Sequence, residues 1–203
     1  MFLTTNVKAV TYGLDIDEDD SFEWEVTDLN PHQFEKVFDF KPSFEKGDKA
    51  KRTIERIDDT ADGWTLVVEF WDFKIDRDEN GTIIYEAIPD SPGDFDENIF
   101  IPTPVNDFLS EAVKDLGSEY SVQGSIVEKL EKDFTMIKEY DARGVLMSEE
   151  YVDDDGIVLV KIEGTFRVIP AANVEIILSV MAFAIAGIIF VIVKNKKCKL
   201  KIS

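Results

Sequence analysis

The chain has very little cysteine or histidine, and its positive charges are outnumbered by acids. A single cysteine, Cys198, excludes a disulfide framework within the chain and any cysteine-rich zinc site. A single histidine, His32, leaves no pair for a histidine-based metal centre. There are 22 Lys and Arg against 42 Asp and Glu, for a formal net charge of −20. Phosphate contacts need clustered cations, and the one cluster lies within residues 194–203, so nucleic acid is not expected as a partner. A Gly-x-Ser-x-Gly elbow, a P-loop and a His-Glu-x-x-His helix are also missing. His32 follows Pro31 with no nucleophile context and reads as a surface or capping residue.

What is present is enough apolar material for a core. Hydrophobic residues make up 44% of the chain and 15 of them are Phe, so the acidity does not signal disorder. The longest apolar run begins at Ile176 and ends at Val193, "IILSVMAFAIAGIIFVIV", with no charge and Ser179 as its clearly polar side chain. At 1.5 Å per residue it reaches roughly 27 Å, close to the hydrocarbon thickness of a bilayer. It has no polar stripe, so it reads as a transmembrane helix rather than a core helix. Ala182, Ala186 and Gly187 would let a second helix approach, which makes a homodimer through the span a candidate.

Charge orients that span. All the acids lie at or before Glu175, and Lys194, Lys196, Lys197, Lys199 and Lys201 follow it. The positive-inside bias keeps the lysines in the cytoplasm and places the acidic region outside the cell membrane. Cys198, beside the membrane, reads as a reduced thiol, with acylation as the alternative. The expected organisation is an acidic β-rich extracytoplasmic domain at 1–169, a linker at 170–175, a transmembrane helix at 176–193 and a basic cytoplasmic tail at 194–203. "MFLTTNVKAV" has no basic stretch followed by an apolar run, so an export signal is expected upstream of Met1. The alternative is a cytoplasmic tail-anchored adaptor, inserted by its C-terminal span.

Period-two alternation dominates the acidic region. "SFEWEVT" at 21–27 places Phe22, Trp24 and Val26 on one face with acids on the other. At 157–169, Val158, Val160, Ile162, Phe166 and Val168 point inward, with Gly164 a candidate bulge or bend. "GWTLVVEFWDFKI" at 63–75 is apolar on both faces, as in a doubly covered strand. Further strands are expected at 49–57, 82–88, 120–130, 134–140 and 144–152. Thr103 as N-cap and Pro104 at the first position open an amphipathic helix carrying Val105, Phe108, Leu109, Ala112, Val113 and Leu116, and Gly117 closes it. A short helical turn is a candidate near 32–38. The sum is an α+β fold: a curved antiparallel sheet of about seven or eight strands packed on one amphipathic helix. A β-sandwich is the alternative.

Three segments carry a resemblance. "FEKGDKAKRTIERIDD" (44–59), "NIFIPTPVNDFL" (98–109) and "EYDARGVLMSEEY" (139–151) resemble segments of single-pass, β-rich surface proteins of Asgard-type archaea. The third is also similar to the hairpins of curved-sheet lipoprotein carriers. The resemblance implies an exported, membrane-anchored β-rich domain, and it brings no catalytic residues.

Candidate sites are few. "IDRDENGTIIYE" (75–86) spaces Asp76, Asp78 and Asn80 as in the first half of a calcium loop. The last position of such a loop falls on Ala87, where a bidentate Glu is needed. Acids before a glycine recur in "DDTADGW", "EYDARGVL" and "VDDDGIV", so a hairpin turn is the simpler reading. Asn80 also heads an Asn-Gly-Thr sequon suited to a glycan on an exposed tip. "LDIDEDD" (14–20) and "VDDDG" (152–156) are further weak calcium candidates, set against plain solubility and strand-edge protection. No spacing selects a catalytic carboxylate pair. The leading expectation is a non-catalytic, membrane-anchored binding or structural protein of the cell surface with no cofactor. The rival is a carrier or sensor holding a lipid or other hydrophobic ligand between sheet and helix, and an apolar cavity of a few hundred Å³ would favour it.

Overall fold

The computed structural model describes residues 10–72 and 81–165. Asp76, Asp78 and Asn80 lie outside the described residues, as does the whole of the 166–203 segment with Ile176, Val193 and Cys198. Nine strands form a single antiparallel sheet in the order β4-β3-β2-β1-β9-β8-β7-β6-β5. They are β1 (Ser21–Leu29), β2 (Lys49–Thr60), β3 (Gly63–Asp72), β4 (Thr82–Pro89), β5 (Tyr120–Gln123), β6 (Ile126–Leu130), β7 (Phe134–Tyr140), β8 (Leu146–Asp153) and β9 (Val158–Gly164). Two helices, α1 (Pro31–Phe38) and α2 (Val105–Ala112), accompany them. The molecule is therefore β-rich with one curved sheet, not the two sheets of a sandwich.

The topology is two meanders joined at a seam. Strands β1 to β4 step outward to one edge. The chain then crosses through residues 90–119 to the far edge and steps inward from β5 to β9, which pairs with β1. One strand expected at 120–130 is two, because Gly124 takes φ +65° and turns the chain between β5 and β6. That split accounts for nine strands instead of eight. Gly164 pairs in register with Trp24, and the β1–β9 irregularity falls instead between Val26 and Asp28.

Alternation and register place both helices on one face. Phe22, Trp24 and Val26 of β1 are buried, and Ile162 of β9 is opposite Val26. Continuing across the sheet, the same face carries Val160, Tyr151, Met136, Val127 and Val122. α2 buries Val105, Phe108, Leu109 and Ala112 against Val127, Tyr140 and Leu146. α1 buries Phe34 against Val26, Leu159 and Val160. Leu159 is the extra residue of a bulge between β8 and β9, which is why it and Val160 are both buried. A third cluster, with Phe22, Trp24, Ile54, Leu66, Val68 and Phe100, fills the space under the crossing segment. Each fully buried Phe contributes roughly 1.5–3 kcal/mol.

The helix ends differ from the sequence expectation. α2 begins at Val105 with Pro104 as its cap residue, and the Thr103–Pro104 peptide is cis. Thr103 is drawn away from capping because its backbone N–H and hydroxyl both donate to the Gly13 carbonyl. The helix stops at Ala112, and residues 113–115 continue as turns, so Gly117 is not its terminator. α1 is a full helix: the Asn30 side chain accepts from the Gln33 N–H at 3.2 Å, Pro31 occupies the first turn, and Asp39 ends it in the left-handed region at φ 62°. At Gly144, with φ +81°, a Cβ would lie 2.0 Å from the Ile101 carbonyl oxygen, so the β7–β8 turn admits no side chain there.

Candidate functional site: an aromatic cleft on the inner face

α1 and the loop after it bring aromatic rings over β8 and β9. Phe34 and Phe38 are one helical turn apart, with ring centroids at 4.5 Å. The chain then folds back so that Phe40 and Phe44 meet Phe34 edge-on, at 5.4 and 5.7 Å. From the sheet, Tyr151 lies 6.0 Å and Phe134 5.0 Å from Phe38. These rings form one cluster built by segments distant in sequence.

The rings do not close over the sheet. Between them lies a cleft of about 280 Å³, lined by Phe34, Phe38, Phe40, Phe44, Tyr151, Val160, Ile162 and one charged residue, Glu149. A smaller hollow of about 160 Å³ adjoins it, sharing Phe44 and Ile162 and bounded also by Trp24, Val26 and Ala50. Phe40, at the mouth, is 57% exposed.

Glu149 belongs to a set of charges embedded in the inner face. Its Oε1 accepts from the Tyr151 hydroxyl at 2.7 Å and lies 3.5 Å from Lys138 Nζ. The Lys138 side chain is 7% exposed and also donates to the Glu97 carbonyl at 2.6 Å. Glu97 is held by Lys129 at 3.0 Å and by the Tyr120 hydroxyl. Across the seam, Arg52 Nε is 3.2 Å from Glu86 Oε1, yet Arg52 Nε and Nη1 make no hydrogen bond among the described residues. Burial pushes the Arg52 guanidinium below its ordinary value, partly offset by Glu86 and Glu149, and it raises the Glu86 carboxyl. The Tyr151 hydroxyl is raised by burial and by the Glu149 charge, so it stays a donor throughout the physiological range.

Sequence reading placed the acids mostly on outward strand positions or in turns and singled out none of this set. The signal was a charge interrupting an apolar row: Lys138 between Met136 and Tyr140, Glu149 before Tyr151, Arg52 before Ile54, Glu86 between Ile84 and Ile88. Register pairs two of them, Lys138 opposite Glu149, whereas Arg52 and Glu86 lie on strands separated by β3.

Of the acidic stretches considered for calcium, those at 14–20 and 152–156 carry hydrogen bonds and an ion pair within the fold. Asp20 accepts from the Asp17 N–H and pairs with Arg143. Asp153 Oδ1 accepts from the Asp155 and Ile157 N–H groups, and its Oδ2 accepts from Gln33 at 2.5 Å. Among the described residues no group of three or more His, Cys, Asp or Glu is placed to hold a metal ion. His32 is exposed on α1. Among the described residues no helix is long and apolar enough to cross a membrane.

The chain matches no protein-family model, no curated protein and no solved structure.

Proposed function

We propose that this protein is a non-catalytic binding module that holds a small apolar ligand in the cleft between α1 and strands β8 and β9. In this reading the run between Ile176 and Val193 tethers it to the membrane, with the acidic domain outside the cell and the lysine tail within. The carrying observation is the half-open cleft of about 280 Å³, lined by four Phe, Tyr151, Val160 and Ile162. Ligand sites are typically concave and mostly apolar, with a few placed polar groups. Rings alone would have filled this space had the inner face needed only a core, and a filled core is what α2 makes with Phe108 and Leu109, both fully buried.

Calorimetric titration of nonan-1-ol into the full chain in nanodiscs, against protein-free nanodiscs, tests the reading. A saturable heat is expected in the native protein. Ile162→Phe, which extends a ring into the space, should weaken binding by about tenfold or more, a loss of about 1.4 kcal/mol. A native protein that binds neither the alcohol nor a charged analogue overturns the reading and leaves a purely structural surface role.

A further inference from the structure

We propose that the cleft selects cationic amphiphiles, an alkylammonium or quaternary ammonium head carried on a short apolar chain. This rests on the binding reading above and specifies its ligand class.

Two properties of the lining point to a positive head. The first is ring geometry. Phe40 and Phe44 stand at 85° and 87° to Phe34, and Tyr151 at 77° to Phe38, so the rings present both edges and faces around one space. A cation is attracted to aromatic faces within about 6 Å of the centroid, and desolvation strengthens the attraction. The second is Glu149, the one charged group among the described residues that line the space. Its side chain is 18% exposed, so its field is less screened than that of a surface acid.

Lys138, 3.5 Å away and itself buried, offsets part of the Glu149 charge, and Arg52 also interacts with it, but neither cation lines the cleft, and Lys138 also donates to the Glu97 carbonyl. Tyr151 donates its hydroxyl to the same carboxylate oxygen, which orients the group without adding charge. An entering ligand therefore meets a carboxylate and ring faces. The adjoining hollow past Phe44, lined by Trp24, Val26, Ala50 and Ile162 together with Asp48, Lys49 and Asp72, is where the apolar chain would continue. The net charge of −20 also favours approach of cations and opposes fatty acids and other anions of the same shape.

The test compares three probes with the same number of non-hydrogen atoms in the full protein in nanodiscs: hexyltrimethylammonium, nonan-1-ol and octanoate. Calorimetry with protein-free nanodiscs as reference gives each affinity. The ammonium is expected to bind at least about tenfold tighter than the alcohol, and octanoate weakest. Glu149→Gln should lower the ammonium's affinity by about tenfold, and the alcohol's by much less, because only the ammonium uses the carboxylate charge. If that variant fails to fold, the native comparison still decides. Ammonium and alcohol binding equally overturns the inference but keeps the apolar site. Octanoate binding tightest also overturns it. No binding of any probe removes both.

Discussion

Glu97 shows how a single side chain ties the crossing segment to the sheet beneath it. Burial acts to raise its carboxyl, but the Tyr120 hydroxyl and the Lys129 and Lys138 ammonium groups outweigh that and hold it below the ordinary 4.5. A carboxyl depressed in the folded state adds stability that is present above its unfolded value and is lost as pH falls through the folded value. The melting temperature of the native protein should thus fall on acidification from about pH 5 to about pH 3, and Glu97→Gln should flatten that fall while lowering stability near neutrality. Equal slopes for the two proteins, followed by circular dichroism, would discard this role. Glu86 works in the opposite sense, because burial raises it and its ionised form is the costly one. Gly144 is a residue of another kind, where the Ile101 carbonyl leaves no room for a Cβ whatever the pH.

At the scale of elements, α1 decides whether the cleft exists. It is eight residues long, buries Phe34, and depends on Asn30 at its start. A helix this short is marginal alone and is held by its packing and its cap. Asn30→Ala should cost about 1 kcal/mol, raise amide exchange across residues 31–38, and weaken nonan-1-ol binding by several-fold, because Phe34 and Phe38 ride on that helix. Unchanged exchange in α1 would show that ring packing alone fixes it. The strands were far more legible than this site. Alternation located β1, β4 and β7 to within a few residues, since one face of each meets the core and the other meets water. α2 was legible by its stripe, but its start was not, because the partner that occupies Thr103 is Gly13, 90 residues away in sequence. The cleft was invisible for the same reason: Phe34 and Tyr151 become neighbours only through strand order. The charges of the inner face were written in the rows they interrupt, yet a row does not say which strand lies beside it.

For the whole molecule, the order of strands matters more than their number. The first and last strands, β1 and β9, are the inner neighbours of the sheet, and each strand pair that holds either half together lies outward of them. The folding nucleus cannot form this seam from local contacts, since Trp24 and Gly164 are at opposite ends of the described chain. The seam also has a direction. The start of β1 lies beside the end of β9, with the Thr165 N–H donating to the Glu23 carbonyl. A load applied between residues 20 and 165 would therefore pull across the ladder at one end and not along it. Its hydrogen bonds would open in succession, like a zipper, instead of resisting together in shear. In an optical trap the domain should yield at low force when held through those two points, and at markedly higher force when held through residues 29 and 165, where β1 and β9 must slide past each other. The domain would then be mechanically soft along one axis and stiff along another.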